Sequence, residues 1–129
     1  MGQVKIYGLR SNIDKNRKKI SNAIHDAIVS IFEFPKNKRF HRFIKLDKED
    51  FIYPDSRSAN YLIIEITCIS GRSNESKKTL LNKIFDNIYE EVGIEKNDVE
   101  ITIIDIPIQN WGIRGFPGDE LRLSYKINI

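Results

Sequence analysis

The chain repeats itself at a constant spacing of 60 residues, and this duplication limits the possible folds more than any other feature of the sequence. Aligning Val4 with Ile64, and Phe34 with Ile94, superposes the strand, helix and strand patterns of the two halves. Each half is therefore predicted to be a βαβ unit, in which a right-handed crossover helix joins two parallel strands. Two such units predict an α+β fold, with a four-stranded mixed sheet and two helices on one face.

Hydrophobic periodicity gives the bounds of these elements. Asn12 or Asp14 is the predicted N-cap of the first helix, and Ser73 is the predicted N-cap of the second. Gly93 suits the C-cap of the second helix. The predicted elements are, in chain order, a strand at Val4–Leu9, a helix at Lys15–Phe32, strands at Arg39–Leu46 and Leu62–Ile69, a helix at Ser73–Glu91 and a strand at Val99–Ile106.

The two repeats, at about 2–46 and 62–106, are expected to form a single domain with a C-terminal extension at 107–129. Within that extension, Gln109–Glu120 is dense in glycine and proline, which predicts a hairpin. Leu121–Ile129 alternates apolar and polar residues, which predicts a half-buried strand. Such a strand needs a partner edge, and because a neighbouring subunit would supply one, we expect an oligomer.

Composition and charge exclude several classes of function. The net charge of +3 suits an anionic small molecule, but it is too weak a basic excess to argue for nucleic acid. No apolar run approaches the roughly 20 residues of a membrane span. Cys68 is the lone cysteine, so no intrachain disulfide can form and a reducing, cytoplasmic location is expected. We expect no cofactor, no metal and no membrane partner.

The junction between a buried strand and a helix holds the strongest candidate for ligand binding. Leu62–Ile69 ends just before Gly71, and Ser73 begins the next helix, so Arg72 lies at a helix N-terminus. Free backbone N–H groups at such a terminus, together with a guanidinium, form an anion site. The alternative is that Arg72 is a solvated loop arginine.

A second basic stretch, RFHRF, places Arg39, His41 and Arg42 among two phenylalanines. Patches that bind nucleic acid use such interleaving, although one short stretch is weak support. The wall of a pocket for an anion and a contact between subunits fit the same residues equally well. The sequence leaves these three interpretations open.

Four segments of the chain resemble the tautomerase superfamily. LIIEITCIS, GRSNESKKTLLNKIF, DVEITIIDIP and NWGIRG are together similar to one subunit of 4-oxalocrotonate tautomerase, a single βαβ unit that ends in an aromatic-glycine hairpin. The fusion of two units resembles the malonate semialdehyde decarboxylase and cis-3-chloroacrylic acid dehalogenase groups, whose members form trimers. The resemblance covers nearly the whole chain and implies a homotrimer.

The resemblance also implies a site built around the amino end of the chain. In this superfamily the amine of an N-terminal proline is the general acid or base, an arginine holds the substrate carboxylate, and an aromatic residue walls the pocket. By position, Arg72 matches the arginine and Trp111 matches the aromatic residue. Gly2 stands where the proline is expected. Removal of Met1 would give Gly2 a primary amine, which is more flexible than that of proline.

Other positions depart from the patterns of particular subgroups. Lys38 stands in place of an aspartate of the decarboxylases, and Ile69 in place of a second arginine of the dehalogenases. Both departures argue against those two reactions. Arg39, His41 and Arg114 remain as candidates to complete a substrate-binding site, with a structural or trimer-interface role as the alternative.

These observations lead to competing functions. The first is keto–enol isomerisation of a small 2-oxo or enol carboxylate through Gly2, Arg72 and Trp111, at a low rate because proline is absent. The second is a non-catalytic trimer that binds a small carboxylate or is purely structural. Nucleic-acid binding through the RFHRF stretch is a third and weaker hypothesis, and we expect a small anionic carboxylate as the ligand.

Overall fold

A computed structural model describes residues 2–129, and within that range the chain forms two α-helices and six strands. Neither helix is both long enough and apolar enough to cross a membrane. The elements are β1 (Gly2–Leu9), α1 (Arg10–Phe32), β2 (His41–Leu46), β3 (Leu62–Ile69), α2 (Asn74–Val92), β4 (Val99–Ile106), β5 (Gly112–Ile113) and β6 (Phe116–Pro117).

The four long strands form one mixed sheet in the order β2-β1-β3-β4. β1 and β2 are parallel, and so are β3 and β4, because a helix crosses over the sheet between the strands of each pair. The two central strands are antiparallel, with Gly2 opposite Cys68 and Gly8 opposite Leu62. The predicted pair of βαβ units and the α+β fold are confirmed.

Both repeats contribute to one apolar core between the sheet and the helices. Alternate residues of β1 and β3 are buried there, and the helices supply residues three or four positions apart. The Asn87 amide of α2 donates to the Ala23 carbonyl of α1 at 3.1 Å, which pairs a buried polar group between the helices. Burying a large apolar side chain contributes about 1.5–3 kcal/mol. Those fully buried include Ile6, Ile20, Ile24, Leu62, Ile64, Ile66, Leu80, Ile84 and Ile88.

Both ends of α2 agree with the prediction from sequence. The Ser73 hydroxyl accepts a hydrogen bond from the Ser76 N–H at 3.1 Å, as an N-cap residue does. Gly93 ends the helix with a φ of 80°, and its N–H donates back to the carbonyls of Ile88 and Tyr89. Local sequence therefore determines where this helix starts and stops.

The start of α1 differs from the prediction. The helix begins at Arg10, directly after β1, and the residue before it, Leu9, makes no side-chain capping bond. Neither Asn12 nor Asp14 is the N-cap. Asn12 is buried instead, and its amide donates to the Asn60 carbonyl at 3.1 Å. The Asn12 side chain, which the local pattern assigned to capping, therefore makes a tertiary contact instead.

The C-terminal extension agrees with the prediction only in part. The hairpin is present, since β5 and β6 pair antiparallel with Ile113 opposite Phe116. The prediction of a strand at Leu121–Ile129 is wrong, because these residues form no strand in the described chain. Their alternating exposure remains, since every second side chain is half-buried, and Tyr125 packs against the protein's own core.

Candidate functional site

The antiparallel centre of the sheet brings Gly2 and Arg72 to the same end of the protein. β1 begins at Gly2, which pairs with Cys68 near the end of β3. β3 ends at Ile69, and the chain then turns through Gly71, whose φ of 142° favours glycine, before it reaches Arg72. Two residues that are 70 positions apart in the sequence therefore lie at one end of the central strand pair.

The Arg72 side chain is buried, with 6% of the residue exposed, so the alternative of a solvated loop arginine is wrong. Its Nη1 donates to the Ile69 carbonyl at 2.9 Å. Its guanidinium carbon lies 4.7 Å from the centre of the Phe32 ring and 5.9 Å from that of Tyr125. Its Nε has no hydrogen-bond partner among the described residues. A buried charged donor of this kind is costly to leave unpaired, so Nε is available to an acceptor oxygen.

Two aromatic rings connect Arg72 with Gly2. Phe34 and Tyr125 pack edge to face, with ring centres 4.7 Å apart and planes at 63°. A Cβ atom placed on Gly2 would lie 3.7 Å from the Phe34 ring. Burial raises the pKa of the Tyr125 hydroxyl, with the Arg72 charge opposing it, so the phenol is protonated at neutral pH. The wall between the two candidate residues is therefore aromatic and uncharged.

A small cavity lies beside Gly2. Its lining combines apolar side chains with three side chains that can carry positive charge, namely His25, Lys38 and His41. The volume of about 10 Å³ suits a single water molecule, so this conformation has no room there for a small carboxylate. A second cavity of about 10 Å³ shares Lys38 and is lined in addition by Tyr125.

His41 lines the cavity beside Gly2 as a neutral imidazole. Its Nδ1 lies 2.8 Å from the Ser21 hydroxyl oxygen, and the ring centre of His25 is 5.9 Å from its own. Burial, together with the nearby His25 and Arg39, lowers the pKa of His41 to about 4. A neutral imidazole can exchange hydrogen bonds with a substrate oxygen, but it does not offer a positive charge to a carboxylate.

Arg39 lies outside the lining of that cavity. β2 begins at His41, two residues later than predicted, so Arg39 precedes the strand. Its Nη1 donates to Asn22 Oδ1 at 2.6 Å and to Ser21 Oγ at 3.3 Å. The exposed guanidinium is therefore fastened along α1.

Trp111 and Arg114 lie around the C-terminal hairpin, and neither lines the cavity beside Gly2. Trp111 is half-buried, and its Nε1 donates to the Ile106 carbonyl at 3.1 Å, which fastens this segment to the end of β4. Arg114 is exposed in the hairpin turn with a φ of 52°, and it lines the second small cavity beside Tyr125. Of the five candidates other than Gly2, the structure places only His41 directly in its cavity.

Three residues of this region were not among the candidate site residues, and one of them, His25, is buried where the sequence favours a surface or boundary histidine. His25 is buried, with its Nε2 2.8 Å from the Lys36 carbonyl oxygen, and its position on the apolar face of α1 is the signal that could have identified it. Phe34 is an apolar residue just after α1, where a polar turn would be ordinary. Tyr125 belongs to the buried half of an alternating segment.

The lone cysteine, Cys68, is a structural residue. Burial raises the pKa of the Cys68 thiol to about 11, and its Sγ donates to Asp105 Oδ1 at 3.4 Å, so the thiol is protonated and unreactive.

The carboxylates of Asp47, Glu49 and Asp50 lie within 4.8 Å of one another but are exposed. They follow β2, at the end of the sheet opposite to the start of β1.

Comparison with known proteins places this arrangement among the tautomerases. Residues 38–114, more than half of the chain, match the model of a protein family described as "Tautomerase enzyme". The probable tautomerase YusQ of Bacillus subtilis is 26% identical over 99 residues, which cover 73% of this chain and 78% of YusQ. The 2-hydroxymuconate tautomerase of Comamonas testosteroni is 39% identical over 57 residues, which cover 44% of this chain and 90% of that enzyme.

Solved structures confirm the same architecture. A malonate semialdehyde decarboxylase is similar with a TM-score of 0.80 at 20% identity, over 92% of this chain and 99% of that chain. A fused 4-OT described as an asymmetric trimer is similar with a TM-score of 0.79 at 17% identity, over 91% of this chain and 96% of that chain. At these levels of identity the likeness concerns the fold.

Proposed function

The chain belongs to the tautomerase family, and on that premise we propose that it catalyses the keto–enol isomerisation of a small 2-oxo or enol carboxylate. The observation that carries the proposal is the convergence of Gly2 and Arg72 at one end of the central strand pair. The similarity to a 2-hydroxymuconate tautomerase supports an enol carboxylate as the class of substrate.

In the proposed reaction the amine of Gly2 moves the proton, and Arg72 holds the carboxylate. The amine accepts the proton of the enol hydroxyl and returns a proton to the carbon chain, which leaves the 2-oxo acid. The guanidinium binds the carboxylate and stabilises negative charge that develops on the 2-oxygen. An α-amino group ordinarily has a pKa of about 8, and both a nearby guanidinium and an apolar wall favour the neutral amine, which is the form that accepts a proton.

The proposal requires that Met1 is removed. Met1 lies outside the described residues, and if it is retained the amine is displaced from Gly2 by up to about 3.5 Å. Glycine also lacks the ring that holds the amine of proline in place, so the expected rate is low. Intact mass of the purified protein determines which amine is present.

The remaining candidate residues are proposed to bind or position the substrate. His41 has the strongest support, because it lines the cavity beside Gly2 and its imidazole is neutral. Arg39 lines a neighbouring cavity with His41, and Arg114 lines one with Lys38, so both would add positive charge near the site. Trp111 lies outside the lining of its own chain's cavity, so the proposed role of this residue as a pocket wall requires a neighbouring subunit.

We further propose that the active form is a homotrimer. Residues 1–46 contain eleven Lys or Arg and three Asp or Glu, a formal charge of +8, whereas residues 62–106 contain five and nine, a charge of −4. The basic strand β2 and the acidic strand β4 are the two edges of the sheet. In the proposed ring the basic edge of one subunit meets the acidic edge of the next, and the similar fused 4-OT is a trimer. Sedimentation at low and high salt tests the role of charge.

A non-catalytic protein that binds a small carboxylate is the second candidate. Two observations favour it: glycine stands in place of the expected proline, and the cavity beside Gly2 measures only about 10 Å³. Binding of pyruvate without turnover of any 2-oxo or enol acid would select this candidate over the isomerase.

A cytoplasmic location is proposed from the chemistry of the lone thiol. Cys68 is buried and free, as expected for a protein that folds in a reducing compartment. Fractionation of cells that express the protein would test this location.

Ketonisation of 2-hydroxymuconate or phenylenolpyruvate, followed by ultraviolet absorbance, tests the isomerase proposal. Protein whose intact mass lacks Met1 should ketonise the substrate faster than buffer alone. Arg72→Ala should reduce the rate of ketonisation to that of buffer, and Gly2→Pro should raise it above that of the parent. Arg10→Ala is the matched control, because Arg10 is exposed and lies beyond the other end of β1. No catalysis by the mass-verified parent would refute the assignment.

A further inference from the structure

Residues 121–129 lie across the N-terminus of α2, next to Arg72. Ser73 and Ser76 both donate their hydroxyls to the Ile129 carbonyl oxygen, the former at 3.2 Å. The segment also lies so close to Gly71 that a Cβ atom there would be 2.9 Å from the Ile127 carbonyl oxygen. The backbone of the segment therefore contacts the residues on both sides of Arg72.

Tyr125 anchors the middle of this segment. Its ring packs on Phe34 and lies over the Arg72 guanidinium, and Ile129 packs against the core. The intervening Lys126 and Asn128 are exposed. The segment that the alternation predicts as a strand therefore forms a cover over Arg72, and the Asn128 Oδ1 atom lies 3.0 Å from the position that a Cβ atom on Gly71 would take.

The cover occupies the place where an acid would bind. Free backbone N–H groups at the start of α2 and the guanidinium of Arg72 both favour an anion. In this conformation the main-chain oxygen of Ile129 takes the two hydroxyl bonds at that helix end. The Nε of Arg72, more than nine-tenths buried, remains without a partner beneath the cover. The helix end is therefore satisfied, while the buried charge is not.

We propose that residues 121–129 are a strap that competes with carboxylates for Arg72. The inference rests on the proposed function, in which Arg72 binds the substrate carboxylate. An acid reaches the guanidinium only when the strap lifts, and it then supplies the acceptor that Nε lacks. The bond between Nε and the carboxylate is charge-assisted, which favours the acid once the strap has lifted.

The strap is held in a way that lets it lift without damage to the fold. Its contacts with the rest of the chain include two hydroxyl bonds to Ile129 and the ring contacts of Tyr125. Residues 121–129 contribute no strand to the sheet, so their release breaks no ladder of backbone hydrogen bonds. A segment outside the sheet can open at less than the cost of global unfolding.

Reaction of arginines with phenylglyoxal, read residue by residue by peptide mass spectrometry, measures the cover directly. In the parent, Arg72 should react about tenfold or more slowly than exposed Arg10, because two hydrogen bonds must break before the guanidinium is reached. Tyr125→Ala and, separately, Ser76→Ala should speed the reaction of Arg72 and leave that of Arg10 unchanged. Ser124→Ala is the matched control, since Ser124 is an exposed residue of the same segment.

Sodium pyruvate supplies a second arm of the experiment. Pyruvate should slow the modification of Arg72 more strongly in Tyr125→Ala than in the parent, because the strap then competes less. The proposal is overturned if Arg72 and Arg10 react equally fast in the parent, or if neither Tyr125→Ala nor Ser76→Ala changes the reaction of Arg72. Absence of pyruvate protection in Tyr125→Ala would overturn it as well. Neither arm requires turnover, so failure of the isomerase assay is a separate result.

Discussion

Replacement of Arg72 by methionine tests whether this arginine serves ligand binding or the stability of the fold. The substitution removes a buried charge and leaves a flexible apolar chain in most of its volume. The hydrogen bond to the Ile69 carbonyl is lost, at a cost of about 1.5–3 kcal/mol because the donor is charged. The contact of the guanidinium with the Phe32 ring is lost as well, at a cost of about 1–2 kcal/mol.

The gains from the same substitution are of similar size. Nε is no longer buried without a partner, which relieves about 1–3 kcal/mol. The guanidinium no longer has to leave water on folding, which removes a penalty of a few kcal/mol. Because these terms nearly cancel, we expect the free energy of unfolding to change by less than about 2 kcal/mol in either direction. Carboxylate binding, in contrast, should be lost.

Urea unfolding followed by circular dichroism measures the outcome. Arg10→Met is the control for loss of one charge, because Arg10 is exposed and its ion pair with Asp47 is a surface pair worth little. A small change in both variants supports retention of Arg72 for binding. A loss above about 4 kcal/mol in Arg72→Met alone, comparable to truncation of a core side chain, would mean that Arg72 maintains the fold and would refute the reasoning.

Two further predictions concern stability. Burial holds the folded-state pKa of His41 at about 4, below its ordinary value of 6.5, so the unfolded chain binds the proton more readily. The free energy of unfolding should therefore fall by up to about 3 kcal/mol as the pH is lowered from 6.5 to 4. Urea unfolding at a series of pH values should show a smaller fall for His41→Gln. Identical dependence on pH in the parent and the variant would contradict this prediction. A Cβ atom on Gly8 would lie 2.9 Å from a Leu62 methyl carbon and 3.3 Å from Ile13. Gly8→Ala should therefore lower stability by about 1–3 kcal/mol, whereas Gly112→Ala, with nothing within 4 Å, should not.

The fold was predictable wherever local sequence and tertiary structure agree. The bounds of β3 and β4 match the prediction because both strands are rich in β-branched residues. The cap of α2 at Ser73 was predictable because capping depends on only a few consecutive residues. The start of α1 was not, since the amide of Asn12 bonds to a loop 48 positions away instead of capping the helix.

The C-terminal segment illustrates a different limit. Period-two alternation states that alternate side chains of Leu121–Ile129 are buried, and they are half-buried. It does not state whether the backbone pairs with a strand, because a buried face can lie on a core as well as in a sheet. The prediction of a strand was wrong for that reason, although the alternation of exposed and half-buried side chains is present.

The position of Arg72 in the fold was predictable from the sequence, but the residues that surround it were not. A strand that ends before a capped helix placed Arg72 at a helix N-terminus from local sequence alone, and its role in anion binding stays a prediction. The aromatic rings of Phe34 and Tyr125, which link Arg72 to Gly2, come from segments about 90 positions apart. No local pattern encodes such a contact. The neutral state of His41 depends on burial against α1, which is also a tertiary property.

The central claim is that the Gly2 amine and the Arg72 guanidinium form one site. The most direct test is the pKa of that amine, measured by NMR titration of protein labelled with nitrogen-15 at glycine. We predict a pKa below the ordinary value of about 8, because a guanidinium and aromatic rings disfavour the ammonium, and a rise toward that value in Arg72→Met. An amine that titrates near 8 in both proteins, or an amine that belongs to retained Met1, would contradict the account.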